Sequence, residues 1–340
     1  MSLIDRLWYR PHHPLSLLLR PLSWLFGAIG AVRRGLYRRG WLHRERLPVP
    51  VVVVGNLTAG GTGKTPLTAY LAHALLAAGH RPGIVSRGYG GEVKVPSLVA
   101  ANADPAVVGD EPLLLARATG VPVCVSRRRA QAGRALLCAH PEVDVILCDD
   151  GLQHYALARD LELVVIDGAR GLGNGALLPA GPLREPARRL ARCDALVVNG
   201  GPTVASLPDI PRFTMQLRPA LYYRLDDAAL TRSASDFAGE AVTAMCGIGN
   251  PARFFATLTA LGLAFTPLAL PDHHRFVPSD LPAGTLIVTE KDAVKLAALP
   301  DLGASGARIW VLPVSAELEP DLAAWLMKRI SELVDGRETA

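Results

Sequence analysis

The chain of 340 residues predicts an α/β protein: a mostly parallel sheet with helices on both faces, a smaller C-terminal α/β domain, and an amphipathic N-terminal helix. Three observations carry that prediction. From Val51 onward, short apolar runs alternate with helical patterns, as expected of parallel strands buried on both faces. A glycine-rich turn joins the first of those runs to its helix. Ahead of both, residues 1–46 combine a leucine stripe with nine arginines. Half of the chain is hydrophobic and a fifth is charged, so a large core is expected and extended disorder is not.

The net charge of +5 is unevenly placed: residues 1–46 set nine arginines against Asp5 and Glu45, a formal +7, leaving −2 for the rest. Leu15, Leu18, Leu22, Leu25, Ile29, Val32 and Leu36 recur at three- and four-residue steps and define one helix face. Arg20, Ser23, Gly27, Gly30 and Arg34 fall on the other. Trp8, Tyr9, Trp24, Tyr37 and Trp41 suit a headgroup region. The apolar run Leu15–Val32 covers 18 residues and contains Arg20-Pro21, which disfavours a spanning helix. A basic cluster follows it instead of a small-residue cleavage pattern, so a removed signal peptide is not expected. Residues 1–46 therefore read as a membrane-associating basic helix, lying in the interface of an anionic membrane surface. A spanning helix, or a core helix with a solvated basic tail, stays open as an alternative. The leucine and aromatic content argues for lipid and against nucleic acid, and no obligate protein partner is indicated.

Residues 47–212 read as the main α/β domain. Its strands are expected at 51–54, 82–86, 121–125, 143–148, 161–167 and 195–198, with helices at 66–78, 110–119 and 127–139. A Pro-rich stretch at 201–212 punctuates the chain, and 213–232 reads as a two-stranded connector. Residues 233–340 form the C-terminal α/β domain, with strands at 242–246, 285–289 and 308–314 and helices at 252–261 and 319–334. Five scattered cysteines with no Cys-x-x-Cys pair read as buried thiols in a reducing compartment.

The most informative stretch is Thr58-Ala59-Gly60-Gly61-Thr62-Gly63-Lys64-Thr65, between the strand Val51–Val54 and a Leu/Ala-rich helix. Strand, glycine-rich turn and helix together make a phosphate-binding P-loop, and the fold becomes P-loop NTPase-like. Glycines let backbone amides face phosphate oxygens at a helix N-terminus. Lys64 is expected to reach the β- and γ-phosphates and the Thr65 hydroxyl to ligate Mg²⁺. The usual first glycine is Thr58 here.

Other polar groups fall at the same sheet edge, where ligands of such sheets bind. An apolar strand delivers Asp149 and Asp150, a placement suited to Mg²⁺, with capping of the turn at Gly151 as the alternative for either one. Gln153 and His154 follow directly. Asp110 opens a helix after Gly109 and reads either as an N-cap or as a base facing the γ-phosphate. Asp272-His273-His274-Arg275 is a second polar cluster, better suited to orienting a carboxylate than to completing a metal site. Arg128, within Arg127-Arg128-Arg129, and Arg184 are candidates for an anionic substrate. Thr289-Glu290-Lys291-Asp292 lies at a strand end, but its adjacent Lys and Asp do not make a guanine-reading pattern.

Val54–Pro66, Ser86-Arg-Gly-Tyr-Gly90, Gly109-Asp-Glu-Pro112, Asp149–His154, Asp272-His-His274 and Thr289–Lys295 together resemble the tetraacyldisaccharide 4′-kinase family of lipid A biosynthesis. The resemblance runs in order through most of the chain, and the basic apolar N-terminus is similar to that family's membrane-associating segment. It implies ATP-dependent phosphorylation of the 4′-hydroxyl of an acylated glucosamine disaccharide 1-phosphate, giving lipid IVA. It also implies a peripheral or monotopic enzyme at the cytoplasmic face of a Gram-negative inner membrane. Carried over by position, Lys64 and Thr65 serve ATP and Mg²⁺, and Asp149 and Asp150 are the acidic metal pair. Asp110 is the base and His273 its partner, with His274 open for the latter role. Gln153, His154, Arg128, Arg184 and His274 are left as substrate contacts.

Two other classes share part of this pattern. A membrane-surface ATPase switch also uses Gly-Gly-x-Gly-Lys-Thr, but usually with a lysine where this chain has Ala59. A nucleotide-binding adaptor is the non-enzymatic alternative.

Overall fold

A computed structural model of the chain describes residues 3–10, 13–201, 207–300, 302 and 306–338; part of the Pro-rich stretch lies outside them. Along the first half run α1 (Leu3–Tyr9), α2 (Pro14–Arg38), β1 (Val51–Gly55), α3 (Lys64–Ala77), β2 (Pro82–Ser86) and β3 (Ser97–Leu98). These are followed by α4 (Pro105–Val108), α5 (Asp110–Thr119), β4 (Val123–Val125), α6 (Arg129–Ala139) and β5 (Val145–Asp149). Next come β6 (Leu161–Asp167), β7 (Ala195–Asn199), β8 (Arg212–Pro219), β9 (Tyr222–Arg224), β10 (Thr231–Arg232), β11 (Val242–Cys246) and α7 (Pro251–Ala260). The chain closes with β12 (Thr266–Ala269), β13 (Gly284–Thr289), α8 (Glu290–Leu296), β14 (Ala307–Leu312), β15 (Val314–Glu319) and α9 (Leu322–Glu338).

The first sheet has nine strands in the order β15-β8-β7-β6-β1-β5-β2-β4-β3, parallel except for its two edge strands. Its central strand is the Val51–Val54 run, whose side chains alternate between the two faces. Val52 and Val54 pack with Leu67, Leu71 and Leu75 of α3, while Val51 and Val53 pack with Ala132 and Leu136 of α6. Full burial of each such leucine is worth about 2 kcal/mol. The second sheet has six strands, β10-β9-β14-β13-β11-β12, around Tyr222, Phe237 and Trp310.

The path between the sheets differs from expectation. The two segments read as a paired connector separate: β8 adds in parallel to β7 of the first sheet, and β9 pairs with β14 of the second. The segment 233–340 does not stay together either, because β15 returns to pair antiparallel with β8. Leu322, Leu326 and Ile330 of α9 then join the core under α3. Proline explains the change of sheet: Pro313 has no N–H to donate, so the strand expected at 308–314 stops at Leu312. The final helix starts beyond Pro320, where an Asp321 carboxylate oxygen accepts the Ala324 amide at 2.9 Å. Four of the five cysteines are buried free thiols, whereas Cys138 is exposed, contrary to expectation for that residue.

The N-terminal helix runs unbroken through Pro21. Its small and polar side faces the body: the Ser16 hydroxyl donates to Ala180 O at 2.7 Å, and that of Ser23 donates to Leu177 O. A Cβ on Gly27 would stand 2.7 Å from Leu177 Cδ1, so a larger residue there would require that leucine side chain to shift. The apolar side faces outward, with Leu18 75%, Trp24 69% and Ile29 62% exposed. By length and composition this helix is sufficient to cross a membrane. Not all of the expected aromatics face outward: the Trp8 indole donates to Pro179 O at 3.1 Å, and Arg170 lies over the Tyr9 ring at 5.1 Å.

Candidate active site

The C-terminal ends of the parallel strands bring the candidate residues together. β1 ends at Gly55 and is flanked by β5, with Val54 in register with Asp149, and by β6. The glycine-rich loop therefore opens beside the acidic pair. Gly63, at φ 95°, caps α3; a Cβ there would lie 2.3 Å from Asn199 Nδ2, which donates to Thr62 O at 2.8 Å. Among the described residues the amides of 60–63 donate to no protein acceptor, which leaves them available to phosphate oxygens. Asn56, not singled out from sequence, braces the loop. Its Nδ2 donates to Thr58 O at 2.8 Å, and its Oδ1 accepts from Lys64 Nζ at 3.3 Å.

Lys64 also lies 3.6 Å from Asp150, and Arg184 lies 3.3 Å from the same carboxylate. Burial opposes ionisation of Asp150, but Lys64, Arg184 and Arg129 overcome it and hold the carboxyl down at about 2. Asp149 is the opposite case. Burial, then Glu111 and Asp150, push its carboxyl up to about 7. One Asp149 oxygen accepts from the Thr68 hydroxyl at 3.3 Å, while Oδ2 is buried with no hydrogen-bond partner among the described residues. Thr65 lies one helical turn before Thr68, on the same side of α3. An orphaned carboxylate oxygen, a second carboxylate and a hydroxyl are hard oxygen donors that fit Mg²⁺. Among the described residues no cluster of three or more His, Cys, Asp or Glu forms a ready-made cage. A site completed by water and phosphate oxygens is the usual Mg²⁺ arrangement. Neither carboxylate caps Gly151, whose amide donates to Val54 O at 3.2 Å.

The turn after β12 and the start of α8 bring the second sheet against a carboxylate of the first. Gly109 is the N-cap of α5 and Asp110 its first residue, so Asp110 is not the cap. It is buried, and its Oδ2 lies 3.1 Å from Nδ1 of His273, contributed from 163 residues away. Lys291 Nζ, at the start of α8, is 3.0 Å from Glu111, 3.4 Å from Asp272 and 3.3 Å from His273 Nε2. An ammonium only donates, so Nε2 accepts and the ring proton sits on Nδ1, directed at Asp110. Burial opposes the Lys291 charge, but Glu111, Asp110 and Asp272 outweigh it and raise its pKa. Burial would lift the Asp110 carboxyl, yet the His273 hydrogen bond and the Lys291 charge bring it below its ordinary value. Glu111 thus links both clusters: it holds Lys291 and lies within electrostatic reach of Asp149. Asp110, His273, His274 and Tyr89 line a cavity of ≈ 490 Å³.

The candidate substrate contacts divide. Arg128 is exposed at the start of α6, but Arg129 is the buried member of its run, donating to Asp150 O at 2.7 Å. His154 Nε2 accepts the Arg129 amide at 3.3 Å, and burial with Arg129 and Arg159 pushes the imidazole down to about 3. Gln153 donates to Asn56 O at 3.1 Å, beside the loop. His274 faces the cavity but is bound to Asp280 at 2.8 Å, which leaves His273 as the Asp110 partner. In Thr289–Asp292, the buried Asp292 accepts the Gly247 amide at 3.0 Å and the Thr289 hydroxyl at 2.8 Å, so only Lys291 enters the cluster. The sequence signals for it are its place at a strand end and the family resemblance of Thr289–Lys295.

A phosphate loop beside an acidic pair, in a chain that also holds a buried carboxylate against a histidine, defines a P-loop phosphotransferase. The profile of the family described as tetraacyldisaccharide-1-P 4′-kinase matches residues 15–331. The tetraacyldisaccharide 4′-kinase of Chromobacterium violaceum is 56% identical over 334 residues, covering 97% of this chain and 98% of the relative. That of Dechloromonas aromatica is 51% identical over 343 residues, covering 99% and 98%. The crystal structure of LpxK from Aquifex aeolicus in complex with ATP has a TM-score of 0.75 at 30% identity, covering 93% of this chain and 99% of that one. The chain belongs to the tetraacyldisaccharide-1-P 4′-kinase family.

Proposed function

We propose that the chain is an ATP-dependent kinase of lipid A biosynthesis, transferring the γ-phosphoryl group to the 4′-hydroxyl of tetraacyldisaccharide 1-phosphate. One observation carries the catalytic reading: Asp110, fixed by His273 at 3.1 Å, lines a cavity, and the adjoining Glu111 lies within electrostatic reach of Asp149 of the acidic pair. Asp110 accepts the 4′-hydroxyl proton as that oxygen bonds to the γ-phosphorus and the bond to the β-phosphate oxygen breaks, releasing ADP. His273 orients the carboxylate, and Lys291 orients His273. Lys64 and the loop amides bind the phosphates. Mg²⁺ bound at Asp149, Asp150 and Thr65 would neutralise charge on the phosphate oxygens. Phosphoryl transition states are loose, so positioning and charge neutralisation outweigh base strength. Gln153, His154, Arg128, Arg184 and His274 are assigned as contacts for the sugar or its phosphate; of these, His274 lines the cavity that holds Asp110.

Incubation with γ-labelled ATP, with and without the acylated disaccharide, tests the reading. Label in lipid is the expected result. Label released as free phosphate alone would identify an ATPase switch, and no turnover would identify an adaptor.

The same proposal places the enzyme on the cytoplasmic face of the inner membrane, with α2 in the interface. Ser16, Ser23 and Gly27 dock one side of that helix to the body, so crossing the bilayer would require undocking it. The outward leucines instead suit shallow insertion. Deleting residues 1–46 would strip contacts from the 177–183 loop, whose Pro182 O accepts the Ala59 amide at 2.8 Å. Surface changes are the cleaner test. Replacing Leu18, Leu22, Leu25 and Ile29 together by Ser should weaken vesicle binding by at least about tenfold. Apparent KM for the lipid should rise while kcat stays unchanged. Unaltered partitioning would contradict the anchor.

A further inference from the structure

Between the carboxy-terminal half of α2 and the 3₁₀ turn Ala187–Arg192 lies a groove of ≈ 840 Å³. Its walls carry eight arginines against three carboxylates, Asp160, Glu162 and Asp194. Four of the arginines are neutralised. Arg46 pairs with Asp160 at 2.9 Å, Arg159 with Glu162 at 3.0 Å, Arg189 with Glu162 at 2.5 Å and Arg34 with Glu185 at 3.9 Å. Arg38, Arg44, Arg188 and Arg192 are exposed, and none pairs with a carboxylate among the described residues. Among the described residues, none of the hydrogen-bond or ion-pair partners of Lys64, Asp150, Asp110 or His273 lines this groove.

We propose that this groove binds the phosphate headgroup of an acidic membrane phospholipid. Four guanidiniums with no carboxylate partner among the described residues, drawn from both walls, are a concentration of positive charge that invites phosphate, which they can bind bidentately; one of them, Arg44, also lies over the Tyr37 ring at 5.9 Å. The location selects a lipid source. The groove lies on the body side of α2, and the leucine face lies on the other. A helix is about 10–12 Å across, and an interfacial helix sinks about 5–10 Å, so its far side sits at headgroup depth. Trp41, 73% exposed just beyond the helix, suits that depth as well. The inference rests on the reading of α2 as the membrane face and adds a specific lipid contact to it.

The test compares the full-length protein with R188Q/R192Q, whose exposed positions hold no ion pair that folding would lose. Binding is measured on phosphatidylcholine vesicles with and without phosphatidylglycerol. Each basic contact with an anionic surface is worth about fivefold, so the variant should lose about 30-fold of the affinity gained from phosphatidylglycerol. Binding to neutral vesicles, and KM and kcat in neutral detergent micelles, should be unchanged. An unchanged phosphatidylglycerol increment would overturn the proposal. So would a raised KM in neutral micelles, which would assign the groove to the acceptor's own phosphate. Failure of the unaltered protein to bind any vesicle would instead sink the α2 reading.

Discussion

Replacing Lys64 by Ala is expected to lower kcat by about 10³-fold, with the folded protein intact. Lys64 sits at the head of α3, partly exposed, and its ammonium lies between Asp150 and Asn56 rather than in the core. Removing it therefore opens no core cavity. It takes away the cation proposed to meet charge on the transferring phosphoryl group, and leaves Asp150 with Arg184 and Arg129 as neighbours. The loss should fall on turnover more than on KM for the lipid, because the acceptor is not bound by this side chain. The ranking is specific: His273→Ala should cost less, since in the proposed mechanism His273 acts only through Asp110. Equal or reversed losses at saturating substrate would show that the dyad, not the phosphate loop, dominates catalysis.

Asp110→Asn is expected to lower kcat by about 10²-fold, at the low end for general-base removal because the transition state is loose. Asparagine keeps the shape and can still accept the His273 proton, so the change isolates proton acceptance from packing. The pH profile gives a second readout. Asp110 is held below its ordinary value against the pull of burial, so as the proposed base it stays ionised well into the acid range. Its protonation should not limit the rate near neutrality. Lys291→Ala removes one of the charges that lower this carboxyl and leaves the burial that raises it. The acid limb of kcat/KM should therefore move to higher pH in that variant. An acid limb identical to that of the unaltered enzyme would mean that Lys291 does not act through Asp110.

Much of this site was legible because its parts are local in sequence. The phosphate loop is defined by a strand, a turn and a helix within a few tens of residues. The strands at 82–86 and 161–167 matched their apolar runs because both faces of a parallel sheet demand such runs. What the sequence did not disclose was long-range. Nothing local says that β15 should leave the second sheet for β8, and an interrupting proline marks a break without giving a destination. The Asp110–His273 contact spans 163 residues, and its expectation came from family resemblance, not from spacing. Lys291 was passed over because adjacent Lys and Asp did not match a known pattern, yet helix geometry sends Asp292 inward to Gly247 and Lys291 across to Glu111. In the arginine run the buried member proved to be Arg129, since a run of like residues carries no phase of its own. The α2 stripe was legible in period, but which side met the body depended on a distant loop at 177–183, whose carbonyls accept from Ser16 and Ser23.

The central claim is that the carboxylate at 110 and the terminal phosphate share one cleft with the sugar hydroxyl. A crystal structure with a non-hydrolysable ATP analogue and the acylated disaccharide tests it most directly. The expected result is an Asp110 oxygen about 2.6–3.2 Å from the 4′-hydroxyl, with that hydroxyl facing the γ-phosphorus. A complex in which the 4′-hydroxyl meets the γ-phosphate while Asp110 stays turned to His273, away from the sugar, would contradict it.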